Sequence, residues 1–101
     1  LVTASLAYAG VDAKEVNDPK IIIEDGVCKS RDLKQLVGSV ATMDVLVQNM
    51  VKAGVSLEDT LRMATETPAK IMGVYDRKGS LEKGKDADIL ILDKKLRVRS
   101  A

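Results

Sequence analysis

At 101 residues, 46% hydrophobic and 31% charged, the chain has the make-up of one small folded domain and is short for a whole enzyme barrel. A net charge of +1 and only two aromatic residues, Tyr8 and Tyr75, argue against nucleic acid or an anionic membrane surface as partner. Histidine is absent, which removes most metal-site and acid–base schemes, and no apolar run approaches the ~20 residues that span a bilayer. The single cysteine, Cys28, has no internal partner and suits a reducing compartment, with the cytoplasm the expectation.

In chain order, Leu1 to Thr3 reads as the end of a buried strand, and Ala4 to Val11 as a loop closed by Gly10. Lys20 to Glu24 carries β-branched bulk, Asp25-Gly26 is a turn dipeptide, and Val27-Cys28-Lys29 can pair back, which predicts a hairpin. Ser30 to Gln35 is polar and reads as loop. Val40, Met43, Val47, Met50 and Val51 then share one helical face, with Ser39 as the expected N-cap and Gly54 as the stop. A second helix starts at Ser56, with Asp59 completing a capping-box variant and Leu57, Leu61 and Ala64 as its apolar stripe. It should end near Glu66 or Thr67, and a third short helix, capped by Thr67 with Pro68 in first position, should run through Met72 to Gly73. Asp76 to Lys85 is turn-rich. Ala87 to Leu92 is the strongest strand, and its unbroken apolar run predicts cover on both faces. Leu96 to Arg99 alternates apolar and charged residues, as a half-buried strand does. The start without Met and the strand-like residues at both ends suggest part of a larger protein.

Few residues here carry chemistry by themselves. The four methionines, Met43, Met50, Met63 and Met72, sit at core spacings and read as packing. Asp86, Asp88 and Asp93 lie among Lys85, Lys94 and Lys95, so turn chemistry and a solvated rim are expected rather than a cation site. Lys94, Lys95, Arg97 and Arg99 form a basic end, but Leu96 and Val98 alternate with them, the pattern of a strand with one wet face. Val37-Gly38-Ser39 is a candidate ligand turn, since glycine permits close backbone approach and a helix start presents free N–H groups; on the residues alone an ordinary capping turn is the plainer reading.

Several segments taken in order carry a resemblance: Leu1-Val2-Thr3, Leu36-Val37-Gly38-Ser39 with Thr42-Met43, Leu61-Arg62-Met63-Ala64-Thr65 with Thr67-Pro68-Ala69, Gly73-Val74, Asp76 to Leu81, and Gly84-Lys85-Asp86-Ala87-Asp88. Together they resemble the amidohydrolase superfamily, in particular its deacetylases of N-acetylglucosamine 6-phosphate. The resemblance implies an α/β fold. Residues 1–75 would supply the last strand and closing helices of a (β/α)8 barrel, and residues 76–101 strands of a β-sandwich built from both chain ends. It implies hydrolysis of an amino-sugar phosphate with a divalent metal, zinc or iron, whose ligands lie outside this chain. It further implies that the remainder of the barrel is a partner and that the intact enzyme is a homodimer. In that family an Asp follows the Leu-Val-Thr strand end and moves protons during catalysis; Ala4 stands at that position, so the function there would be lost. Val37, Gly38 and Ser39 match the loop that touches substrate, Met43 lies near it, and the family's Gly-containing turn before it is Leu33-Lys34-Gln35 here. Two other readings stay open: within the same resemblance, a relative of adenine deaminase or dihydroorotase, and, on the residues alone, a free-standing non-catalytic interaction module.

Overall fold

A computed structural model describes residues 1–24, 26–32 and 35–101. It is mixed α/β and divides into two compact units, Val2–Thr42 and Met43–Ala101 with Leu1.

The first unit is built on a three-stranded antiparallel sheet in the order β1 (Ile21–Glu24), β2 (Val27–Ser30), β3 (Leu36–Ser39). The predicted hairpin forms, Ile21 facing Ser30 and Glu24 facing Val27. Gly26 takes the positive φ of +73° that the turn needs; Asp25, its predicted partner, lies outside the described residues. Cys28 at the sheet centre is fully buried and Ile21 nearly so.

At Val37-Gly38-Ser39 the capping-turn reading fails. These residues form strand β3 rather than a capping turn, with Gly38 opposite Cys28 and Ser39 opposite Val27. A shift of register between Cys28 and Lys29 leaves Val37 as the extra residue of a bulge. Ser39 cannot cap the helix because its N–H and C=O are spent on Ala4 and Leu6, and its hydroxyl accepts from the Ala41 N–H at 2.9 Å. Leu1 to Thr3 forms no strand; the nearest ladder contact is an isolated parallel bridge between Ser5 and Ser39. A single-turn 3₁₀ helix, Ala13–Glu15, is capped by the Asp12 carboxylate.

The second unit holds three helices, α1 (Met43–Lys52), α2 (Leu57–Ala64) and α3 (Glu66–Ile71), then a two-stranded antiparallel ribbon of β4 (Ile91–Leu92) and β5 (Val98–Ser100). The ends of α1 and α3 follow the glycine prediction closely. Gly54 (φ +103°) donates to Val51 O at 3.0 Å and Val55 to Met50 O at 3.1 Å, while Gly73 (φ +70°) and Val74 donate to Lys70 O and Ala69 O. Each is the paired bond of a Schellman stop, which satisfies carbonyls left over at a helix end. Ser56 caps α2, its hydroxyl accepting from the Asp59 N–H at 3.1 Å. The junction to α3 departs from expectation: α2 ends at Ala64 and α3 opens at Glu66, so Pro68 sits in the third helical position rather than the first. Pro68 still falls within the first turn, where a missing N–H costs nothing.

Of the four methionines, Met50 and Met63 are half-buried as expected for packing, but Met43 is 37% and Met72 74% exposed, so core packing fails for those two. The strand predicted from Ala87 shrinks to Ile91–Leu92, and Ile89, Leu90 and Ile91 are 50–61% exposed. Among the described residues only β5 lies alongside to pair with it, and that reaches two residues. The β4–β5 connection is closed by Leu96 in the left-handed region (φ +62°).

Thr60 on α2 is fully buried, and its hydroxyl has no hydrogen-bond partner among the described residues. An unpaired buried hydroxyl costs about 1–3 kcal/mol. Thr60→Val should therefore raise the urea midpoint by an amount equivalent to about 1 kcal/mol with an unchanged slope, whereas Thr60→Ser, which keeps the hydroxyl and loses a methyl, should lower it.

Candidate functional site

Ala4 and the β3 segment, distant in sequence, come together in the first unit. The Ser39 N–H donates to Ala4 O at 3.4 Å, and the Leu6 N–H donates to Ser39 O at 2.8 Å. The Ser5 hydroxyl donates to the Ala41 carbonyl, so residues 4–6 are stitched along the end of β3. Ala4 itself is exposed, with φ +46° in the left-handed region that a non-glycine residue adopts only at a cost.

The glycine of β3 has a packing reason. A Cβ on Gly38 would lie 3.0 Å from Leu6 Cγ and 3.2–3.3 Å from its two methyls. Leu6 thus packs against the bare face of Gly38. On the sheet a small hollow of about 340 Å³ is lined by Gly26, Val27, Leu36, Val37, Gly38 and Ser39, and Val37 is 42% exposed. Of the Leu33-Lys34-Gln35 segment expected to shape the approach to β3, Leu33 and Lys34 lie outside the described residues.

The acidic residues downstream are held by cations, as the turn reading expected. Asp86 pairs with Arg77 at 2.8 Å and Lys78 at 3.1 Å, and Asp88 is held by Lys78. Hydrogen bonds from Lys78 and then Arg77 keep the Asp86 carboxyl below its ordinary value. Asp93 accepts from the Lys95 and Arg97 N–H groups at 2.9 and 3.0 Å and from the Arg97 and Arg99 guanidiniums. Those bonds, the Arg97 N–H foremost, pull its pKa from 3.8 to about 2. Arg97 and Arg99 are thereby tied to the hairpin, which removes half of the basic end from any role as a free cationic patch.

The sign of the Asp93 shift sets a pH window. A depressed folded pKa means that the stabilisation is present above about pH 4 and disappears as pH falls through about 2. The melting-point difference between the unmodified chain and Asp93→Asn should therefore be constant at neutral pH and close between pH 4 and 2. A difference that persists at pH 2 would show that the carboxylate's charge is not what closes the turn.

Among the described residues no three Cys, Asp or Glu side chains converge, and the sequence has no His. The described residues therefore offer no set that fits a divalent metal. A larger apolar cleft in the second unit, about 940 Å³, is lined by Leu61, Pro68, Met72, Leu81, Leu90 and Leu92 among others, and presents Lys78, Asp86 and Asp88 as its charged groups. Sequence reasoning did not anticipate it, because its walls come from elements distant along the chain.

The family model described as "Amidohydrolase family" matches residues 8–100. The chain belongs to the amidohydrolase family. It is 46% identical over 65 residues to the N-acetylglucosamine-6-phosphate deacetylase of Danio rerio, covering 63% of the chain and 16% of that protein. The deacetylase of the same name from Caenorhabditis elegans is 32% identical over 103 residues, covering 99% of the chain and 25% of the relative. Among solved structures, N-acetylglucosamine-6-phosphate deacetylase from Pasteurella multocida superposes with a TM-score of 0.80 at 36% identity, covering 96% of this chain and 26% of that one. The chain thus spans about a sixth to a quarter of the length of these relatives. Among the described residues no helix is long and apolar enough to cross a membrane.

Proposed function

We propose that these residues form the C-terminal portion of a hydrolase that cleaves N-acetylglucosamine 6-phosphate to glucosamine 6-phosphate and acetate, disabled at position 4. Residues 1–75 then complete a (β/α)8 barrel and residues 76–101 return to a β-sandwich. The remainder of the barrel supplies the ligands of a zinc or iron ion, and the intact enzyme is a cytoplasmic homodimer. The observation that carries the reading is the backbone bonding of Ala4 to Ser39, which joins the expected catalytic position to the expected substrate segment, Val37 to Ser39. The exposed apolar side chains of Ile71, Met72, Leu81 and Leu90 support a second unit that works against further polypeptide, against the alternative of a free-standing module.

Amide hydrolysis adds water to the acetamide carbonyl and breaks the C–N bond, so one proton must leave the water and one must reach the departing amine. A carboxylate at position 4 would carry that proton between the two sites. The Ala4 methyl can neither accept nor donate it. The test is Ala4→Asp in the complete protein, with acetate release as the readout; a protein that already turns over at full rate with Ala4 overturns the assignment.

A further inference from the structure

We propose that residues 4 and 5 form a backbone seat shaped for aspartate or asparagine, with Ser5 as the positioning residue that holds it. The inference rests on the assignment of position 4 made above, but its physical basis is separate. Ala4 sits at φ +46°, a conformation alanine disfavours and in which Asp and Asn are several-fold enriched. It is exposed, so no packing of its methyl explains the choice. What fixes it is the bonding that follows. Ser5 bridges to Ser39, its hydroxyl donates to the Ala41 carbonyl, and the Leu6 N–H donates to Ser39 O at 2.8 Å. With residues 5 and 6 tied to the end of β3, residue 4 must make the bend that brings its own carbonyl to the Ser39 N–H.

The experiment is a set of melting midpoints for the full chain with Ala, Asn, Asp or Val at position 4, each in the Ser5 and the Ser5→Ala background. With Ser5 in place, Ala4→Asn and Ala4→Asp should raise the midpoint by about 2–6 °C, and Ala4→Val should lower it by at least as much. In the Ser5→Ala background the gain from Asn and Asp should shrink, because loss of the hydroxyl bond to Ala41 loosens the hold that the remaining main-chain ties keep on residue 4, and Ser5→Thr should restore it. A Ser5 of merely structural importance would lower every midpoint equally and leave the gain intact, which overturns the positioning role. Midpoints that fail to rise with Asn and Asp overturn the seat itself, and this arm needs no Ser5 variant to fold. Absence of acetate release from Ala4→Asp, with the midpoint order as expected, would instead reject the deacetylase reading and leave the seat standing.

Discussion

Gly79→Ala should lower the melting midpoint by about 10 °C or more, the largest stability effect of any glycine-to-alanine change in the second unit. Two costs coincide at this residue. Gly79 has φ +92°, a conformation that costs an L side chain roughly 1–3 kcal/mol. Its Cα also rests directly on α3: an added Cβ would stand 2.7 Å from Ala69 Cβ, 3.1 Å from Thr65 O and 3.2 Å from Tyr75 Cδ2. None of these is the end of a flexible side chain that can swing away, and Ala69 is buried. Overpacking of this kind adds about 1–3 kcal/mol, and each 1 kcal/mol moves the midpoint of a domain this size by roughly 4–8 °C. Gly84 separates the two costs. It shares φ +92°, but a Cβ added there would meet nothing within 4 Å, so Gly84→Ala should show the backbone cost alone. Equal losses at the two glycines would mean that the contact with α3 contributes nothing.

Ala4→Asp carries the largest expected effect on activity. General acid–base assistance is worth about 10²–10⁴-fold, so an aspartate at position 4 should raise acetate release by about that factor over the alanine protein. Ala4→Asn is the informative control, because it occupies the same left-handed backbone and has no proton to transfer near neutral pH. Asn should match Asp in stability and Ala in rate. A rate gain shared by Asn would assign the effect to folding rather than to proton transfer.

The sequence was legible wherever a residue acts through its near neighbours. Ser56, Gly54 and Gly73 cap and stop helices by bonds that span only three to five residues, and the triple isoleucine of β1 faces a strand across one turn. It misled where the partner is remote. Val37-Gly38-Ser39 has the composition of a capping turn, and only the chain at Ala4 to Leu6 and at β2 makes it a strand. Ile89 to Leu92 has the apolar pattern of a strand covered on both faces, yet its pairing depends on neighbours that the described residues supply for Ile91 and Leu92 alone. The left-handed turn at Ala4 left no trace in composition, since alanine is the residue least suggestive of it. The candidate site was legible as two separate segments, and their bond to one another was not.

The most direct measurement is a calorimetric titration of N-acetylglucosamine 6-phosphate into the complete protein carrying Ala4, with the sugar recovered and analysed afterwards. Saturable binding, with an affinity close to that of the Ala4→Asp variant and the acetyl group still in place, is the predicted result. Failure to bind the sugar phosphate, or acetate accumulating as fast as with aspartate at position 4, would contradict it.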